Sequence, residues 1–284
     1  MPYRYFIKLA FDGTDFSGWQ IQPNAATVQE ELEKAMALII SHKEGITGCG
    51  RTDSGVHSRV FFAHFDVEEP IKSPENLVFK LNRYLPPSIA IQEIFAVRAG
   101  MHARFSALMR EYTYTVITEK DPFLFPKAYL YSPEMDIDLM NDGSRLLMDY
   151  SDFECFSKVR TQVANFRCKL HSAEWIKNQH VLKFTICSDR FLRNMVRSIV
   201  GTLLDLGRHK LSMEDLESIL LSHNRGKAGR SVPAKGLMLT DVRYPAGFRV
   251  KEPEWFSGDS LKTVKSDRNI NSGFHHGMGN ETDE

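Results

Sequence analysis

The run Val60-Phe61-Phe62-Ala63-His64-Phe65-Asp66-Val67 constrains this chain most, because it is apolar on both faces apart from His64 and Asp66. A strand of that kind belongs in the interior of a sheet covered on both sides, since a strand with one wet face alternates. Its neighbours must then supply the cover. Tyr3 to Phe11 alternates, with Tyr3, Tyr5, Ile7, Leu9 and Phe11 on one face and Arg4, Phe6 and Lys8 on the other, which predicts a second strand. Thr27-Val28-Gln29-Glu30 has the spacing of a capping box, and Val28, Leu32, Ala35, Met36, Ile39 and Ile40 form a helical stripe ending near Ser41. Pro74 to Leu85 reads as a second helix, stopped by Pro86-Pro87, and Ile89 to Val97 as a further strand. With a short strand ending at Ile46, the order is strand, helix, strand, strand, helix, strand. That is the α+β pattern of a ferredoxin-like or RRM-like unit.

A comparable series follows. Tyr112 to Ile117 reads as a strand, Asp138 to Tyr150 as a helix, and Arg167–Trp175 with Val181–Ser188 as a hairpin turning at residues 177–180. Leu192 to Leu206 is helical, with Gly207 placed as a C′ glycine. A shorter helix follows Ser212, and Gly236 to Tyr244 supplies a last strand. Two α+β halves are expected, over residues 1–103 and 104–252. Residues 253–284 are polar and rich in Gly, Asn, Ser, Asp and Lys, a composition expected to remain mobile.

Between the short strand and the two-sided run lies Gly48-Cys49-Gly50-Arg51-Thr52-Asp53-Ser54-Gly55-Val56-His57. Three glycines permit tight turning and close approach, and one carboxylate, Asp53, stands two residues from the guanidinium of Arg51. Charged groups on a loop between strands are where chemistry concentrates, although a glycine-rich hairpin with a solvated ion pair fits the same residues. Exposed aromatics at Phe16 and Trp19 would suggest contacts, but Trp19 packed on the core is the commoner outcome.

The chain carries no net charge, with 36 Lys and Arg against 36 Asp and Glu, so no global field announces a polyanion. The basic residues are nevertheless unevenly placed. Lys158, Arg160, Arg167 and Lys169 occur together without an acid, as do Arg225, Lys227, Arg230 and Lys235, and Asp189 to Lys210 is basic in excess. Three such windows favour a nucleic-acid surface over three solvated faces. Arg193 and Arg197 would share one side of a helix. Arg197 falls within an apolar run, so it needs an anionic partner or a route to solvent, and Asp53 is the candidate partner.

Cys49, Cys155, Cys168 and Cys187 are scattered without a C-x-x-C pair. They read as free thiols with no zinc site, and His275-His276 has no companion ligands. No stretch approaches the ~20 apolar residues of a membrane span. The start of the chain runs directly into a strand pattern with no signal-peptide core, so a cytoplasmic protein is expected.

Taken together, these motifs resemble the tRNA pseudouridine synthase A family from about Tyr5 to Tyr244. The matching pieces are Phe11-Asp12-Gly13, Phe16-Ser17-Gly18-Trp19-Gln20, Thr27-Val28-Gln29-Glu30, Gly50 to His57, Ala63-His64-Phe65, His102 to Ala107 with Tyr112-Thr113-Tyr114, Met195-Val196-Arg197 with Gly201, and Gly236-Leu237. The resemblance implies the pseudouridine synthase fold: two halves sharing a mainly antiparallel sheet, with the active site in the cleft between them. It implies Asp53 as the catalytic nucleophile and Arg51 as the group that holds the target nucleotide flipped out. It places Tyr112 against the base, Arg197 on the catalytic carboxylate and Leu237 in the pocket lining. Lys158, Arg160, Arg167, Arg193 and Lys227 are candidate contacts to the RNA backbone. The departures, Cys49, Ser54, Asn194 and Ser198, touch none of the groups named for catalysis.

The implied reaction turns uridine 38, 39 or 40 of the tRNA anticodon arm into pseudouridine, on a homodimer. It breaks the C1′–N1 bond and joins C5 to C1′, with no redox change and no second substrate, so no cofactor or metal is expected. The carboxylate can add to C1′ or C6, or act on the sugar; the residues leave these open. It must stay ionised where water is excluded, which calls for a neighbouring cation. Two readings compete: a non-catalytic tRNA-binding or chaperone protein on the same scaffold, and a hydrolase with an aspartate nucleophile.

Overall fold

The structure is a computed structural model that describes residues 2–159 and 164–250; the expected polar tail and Arg160 lie outside them. The first half is β1 (Tyr3–Phe11), α1 (Val28–Ile40), β2 (Thr47–Gly48), β3 (His57–Val67), α2 (Pro74–Tyr84) and β4 (Ile89–Ala96). The second is β5 (Met109–Ile117), β6 (Tyr129–Leu130), α3 (Ile137–Met148), β7 (Leu170–Asn178), β8 (Val181–Ser188), α4 (Met195–Gly207), α5 (Met213–Leu221) and β9 (Leu237–Arg243). All these strands join one sheet in the order β4-β1-β3-β9-β5-β8-β7, with β2 beside β3 and β6 beside β5. Pairing is antiparallel except at β3–β9 and β5–β6. This is the expected mixed α+β architecture.

The run from Val60 to Val67 lies inside the sheet, with β1 on one side of β3 and β2 and β9 on the other. Phe61, Ala63 and Phe65 are buried on one face and Phe62 and His64 on the other. Thr27 caps α1 by accepting from the Glu30 amide, and Ser41 ends it in a left-handed conformation. Ser212 and Asp215 form a reciprocal capping box at α5. The N-terminal caps satisfy amide donors that the helix itself leaves unpaired, and at Ser41 the cap amide donates back to the Met36 carbonyl.

Two buried clusters cover the sheet. One joins α1 and α2 to β1, β3 and β4; the other joins α3, α4 and α5 to β5, β7, β8 and β9. The strands of the two halves meet where His57 pairs with Met238 and Ser58 with Leu239, in a short parallel seam. The glycine-rich loop ends at that seam.

Several boundaries differ from the sequence reading. The hairpin strand β7 starts at Leu170 and continues through Lys177 and Asn178, leaving only Gln179 and His180 to turn, with Gln179 at positive φ. The short strand is Thr47–Gly48, just past Ile46. Helix α4 begins at Met195, three residues later than expected, because Asn194 before it takes a left-handed φ of 66°. Gly207 is the last helical residue, not a C′ residue. A Cβ there would lie 2.5 Å from Met140 Sδ, so the glycine serves close packing of α4 on α3.

Candidate active site

The loop at residues 48–57 is held mainly by uncharged contacts. Trp19 is buried and stacks on Phe61 at 4.2 Å. Phe16 is buried as well, and its carbonyl accepts from the Gly55 amide at 3.1 Å and from the Ser54 hydroxyl. The loop of residues 12–20 is therefore a cradle for the glycine-rich loop, with neither aromatic left for contacts outside. Gly18 makes the cradle possible: its φ is +92°, and a Cβ would sit 2.2 Å from the Thr52 carbonyl oxygen. Gly55, at φ +77°, turns the chain after Asp53. Gly50 faces open space, and a Cβ there would meet nothing among the described residues. At the far end His57 Nδ1 lies 3.1 Å from the Gly13 amide nitrogen and 3.0 Å from Asp12 Oδ1, and Nε2 lies 3.2 Å from the Lys235 carbonyl. Burial pushes its pKa down, opposed in part by the Asp12 carboxylate.

Asp53, the candidate partner for an arginine in an apolar run, meets Arg197, in place of the alternative of a side chain reaching only solvent. Arg197 Nη1 lies 3.3 Å from Asp53 Oδ2, and Arg197 Nε donates to the Val232 carbonyl at 2.7 Å. The second bond fixes the plane of the guanidinium and hence the carboxylate. Among the described residues, Asp53 Oδ1 has only the longer approach of Arg193 Nε, at 3.8 Å. Arg193 is exposed and lies in the turn before α4, so the two arginines do not share a helix side. The left-handed Asn194 swings Arg193 toward Asp53 from off the helix, and the Asn194 side chain bonds Ser198 and Ser231 to hold that turn.

Tyr112 reaches the same place from β5. It pairs with Leu239 of β9 and Ile186 of β8, and Phe191 packs edge-on at 5.2 Å. Burial, reinforced by the nearby thiol of Cys49 and the carboxylate of Asp53, pushes its phenol pKa well up. The group is a neutral donor with a flat apolar face. Leu237 is buried at the start of β9 opposite Tyr114, in the cluster that also holds Val56. Arg51 is exposed and makes no ion pair with Asp53 among the described residues.

Arg110 left no mark in the sequence reading. Its guanidinium donates to the carbonyls of Cys49, Arg104, Ala107 and Asp189, at 3.0 Å for Cys49 and 2.7 Å for Asp189. It thus ties the start of the glycine-rich loop to the turn before β5 and to the end of β8. A lone cation at the start of a largely aromatic and aliphatic strand is the signal a sequence offers for such a residue, because its carbonyl acceptors belong to the backbone.

The three basic windows converge around the start of α4. The Lys158 amide donates to the Arg193 carbonyl, the Lys169 amide to Asp189, the Val232 amide to the Arg197 carbonyl and the Gly229 amide to Thr202. Lys158, Arg167, Lys227 and Arg230 are exposed there. Arg208 bonds Tyr131, Lys210 approaches Asp205, and Lys235 bonds the Phe125 carbonyl and lies over its ring.

All four cysteines are buried free thiols. Burial pushes the Cys49 thiol up to about 11, so it is protonated at neutral pH and a poor nucleophile. Asp152, Glu154 and His223 approach one another at the surface, but His223 is engaged by Asp152 at 3.2 Å and follows the end of α5, away from the Asp53 loop. No helix among the described residues is long and apolar enough to cross a membrane.

A family model described as tRNA pseudouridine synthase matches residues 8–106 and 149–245. A tRNA pseudouridine synthase A of Parabacteroides distasonis is 47% identical over 242 residues, covering 85% of this chain and 96% of that protein. The enzyme of the same name from Bacteroides fragilis is 46% identical over 243 residues, with 85% and 96% covered. That of Bacillus subtilis is 39% identical over 246 residues, with 85% and 99% covered. Both matched segments of the family model carry groups that meet at Asp53, and the chain belongs to the tRNA pseudouridine synthase family.

Proposed function

We propose that this isomerase converts uridine to pseudouridine at positions 38, 39 and 40 in the anticodon stem-loop of tRNA, with Asp53 as nucleophile on a base extruded from the stack. The observation that carries the reading is the unequal treatment of the two Asp53 oxygens. Oδ2 is anchored by Arg197, which is itself fixed on the Val232 carbonyl, while Oδ1 has, among the described residues, only the long approach of Arg193. One oxygen orients the carboxylate and the other is left for the nucleotide.

The remaining roles follow from chemistry and placement. Extrusion of a stacked base costs a few kcal/mol, which the exposed cations around α4 offset by gripping the backbone. Arg51, exposed and unpaired with Asp53, holds the emptied space in the RNA. Tyr112 lays its ring against uracil, and its protonated hydroxyl donates a hydrogen bond. Leu237 closes the apolar side. Once C1′–N1 breaks, the uracil turns so that C5 faces C1′; C5–C1′ forms, the C5 proton leaves and N1 gains one. The halves at 1–103 and 104–252 each contribute, Asp53 and Arg51 from the first and Tyr112, Arg197 and Leu237 from the second. A cytoplasmic homodimer, in which one subunit holds the tRNA body while the other reacts, completes the reading.

The test is pseudouridine mapping in unmodified tRNA incubated with the purified chain. Asp53→Asn and Asp53→Ala should abolish product at all three positions while tRNA binding stays within about a few-fold. Product formation by Asp53→Ala would refute the nucleophile, and release of base or phosphate by the wild type would point to a hydrolase.

A further inference from the structure

The motif His102 to Ala107 has no role in the scheme above, yet it forms one of the most firmly held turns in the molecule. The amides of Arg104 and Phe105 both donate to His102 Nδ1, at 3.1 and 3.2 Å. The His102 amide donates to the Ser106 hydroxyl, and the Ser106 amide returns to the His102 carbonyl. Ala103 is buried; its amide donates to His64 Nδ1 at 3.2 Å and its carbonyl accepts from the Tyr244 hydroxyl at 2.6 Å. Arg110 closes the set by donating to the carbonyls of both Arg104 and Cys49. One guanidinium thereby pins this turn to the start of the glycine-rich loop.

What the turn presents is unexpected for so rigid a piece of backbone. Phe105 is 75% exposed, with the His102 ring tilted against its ring at 4.4 Å and the Arg104 guanidinium 5.4 Å from the ring centre. A phenyl ring left in water forfeits its burial energy. The surroundings are strongly cationic. Burial, then Arg51, Arg110 and Arg190, push the Arg104 pKa down, so three further guanidinium groups act on the one beside the ring. An exposed aromatic face set among cations matches the stacking-plus-phosphate pattern by which proteins hold unpaired nucleotides, and it is poorly suited to an apolar or a cationic partner.

We propose that Phe105, flanked by Arg104, is a stacking subsite for one unpaired nucleobase next to the target uridine in the RNA. The ring takes the face of the base, and Arg104 and Arg51 take the phosphates on either side. Its position is set by the Arg110 clamp, so the subsite lies at a fixed offset from Asp53. The inference rests on the RNA-modifying reading of the site and extends it to a second nucleotide.

Binding of an anticodon stem-loop RNA should be measured in the Asp53→Asn background, where no turnover intervenes. Phe105→Ala should weaken binding about tenfold, the scale of a single missing stack. Phe105→Trp should bind as the parent does, and Phe105→Leu should behave like Phe105→Ala. An RNA lacking the base on one side of the target uridine should lose the same factor against Phe105, and lose nothing further against Phe105→Ala. Because the ring is exposed, melting temperatures should be unchanged, which separates a missing stack from a damaged fold. Normal binding by Phe105→Leu, or effects of protein and RNA changes that simply multiply at every position, would overturn the subsite. These outcomes are read from binding alone. Failure of the wild type to make pseudouridine would sink the catalytic reading without deciding this one.

Discussion

The glycine-rich loop and the segment from Asp189 to Arg197 meet at one carboxylate but are built by opposite means. The loop carries Asp53 on a frame of mostly uncharged contacts, Trp19 on Phe61, Gly18 under Thr52, Gly55 bonded to Phe16 and a protonated thiol at Cys49, with charge only at its two ends, where Arg110 donates to the Cys49 carbonyl and His57 lies against Asp12. The arginine segment is positioned by charge-bearing groups given to neutral acceptors, Arg197 on the Val232 carbonyl and Arg110 on the Asp189 carbonyl. The difference is instructive. A carboxylate that must react is best held by groups that do not compete for its charge. Cations that must meet an RNA are best fixed by carbonyls, which orient a guanidinium without neutralising it.

Removing a member of the uncharged frame should cost most, and should cost stability before chemistry. Trp19→Ala deletes a buried ring stacked on Phe61 and should destabilise the fold by about 3–5 kcal/mol, read by chemical denaturation. Activity per folded molecule at low temperature should fall much less. A variant that stays as stable as the wild type but loses its rate would break the division of labour drawn above.

The charged side should show the reverse. Arg197→Met leaves apolar packing near Val196 and Ile199 intact but removes the anchor of Asp53 Oδ2. A hydrogen bond to a charged group is worth roughly 1.5–3 kcal/mol, so the single-turnover rate should fall ten- to about a hundredfold. Arg197→Lys should recover only part, because an ammonium cannot span both Val232 and Asp53 in one plane. An Arg197→Met enzyme with wild-type rate would leave Asp53 positioned by the loop alone.

The same contrast explains what is legible in the sequence. Elements that follow from periodicity and capping are legible: the two-sided strand at β3, the Thr27 cap of α1, the Ser212–Asp215 box of α5. The Arg197–Asp53 pair is partly legible, because an arginine among Met195, Val196, Ile199 and Val200 needs either an anion or a route to solvent, and Asp53 is the candidate anion. Non-local backbone geometry is not. Asn194 tolerates both helical and left-handed conformations, so nothing local moves the start of α4 from Leu192 to Met195, and a sequence reading leaves Arg193 on the helix. Gly207 looks like a terminator until Met140, more than sixty residues earlier, shows why it has no side chain. Arg110 escapes notice because its four partners are carbonyls, and the β3–β9 seam because a parallel pair so distant in sequence has no local signature. Asp53, Arg51, Tyr112 and Leu237 stand out by resemblance; their roles are for substitutions to decide.

Smaller effects belong to the exposed cations. Arg167→Gln and Lys227→Gln each remove one charge from the surface around α4. Each should weaken tRNA binding only a few-fold at moderate salt, and lower the slope of log affinity against log salt by about 0.7–0.9 for each phosphate no longer neutralised. An unchanged slope would make these residues ordinary solvated side chains and confine the RNA surface to the arginines near Asp53.

The smallest effect is expected at Cys49, which follows Gly48 in the loop and is the thiol that lies close to Tyr112. Burial raises its pKa to about 11, with Arg110 opposing only in part. The neutral thiol therefore predominates until the pH approaches that value, and the thiolate that would react or repel Asp53 is scarce at neutral pH. Cys49→Ala should change the rate by less than about twofold, and alkylating reagents should leave the folded enzyme active. In the unfolded chain the same thiol ionises near pH ~8.5. The folded state then holds a proton the unfolded state has released, so stability should fall as pH rises from about 9 toward 11, and Cys49→Ala should shallow that fall. A large drop in rate at neutral pH, with stability unchanged, would mean that the loop does contain a second reactive group, and that its frame is less inert than its contacts imply.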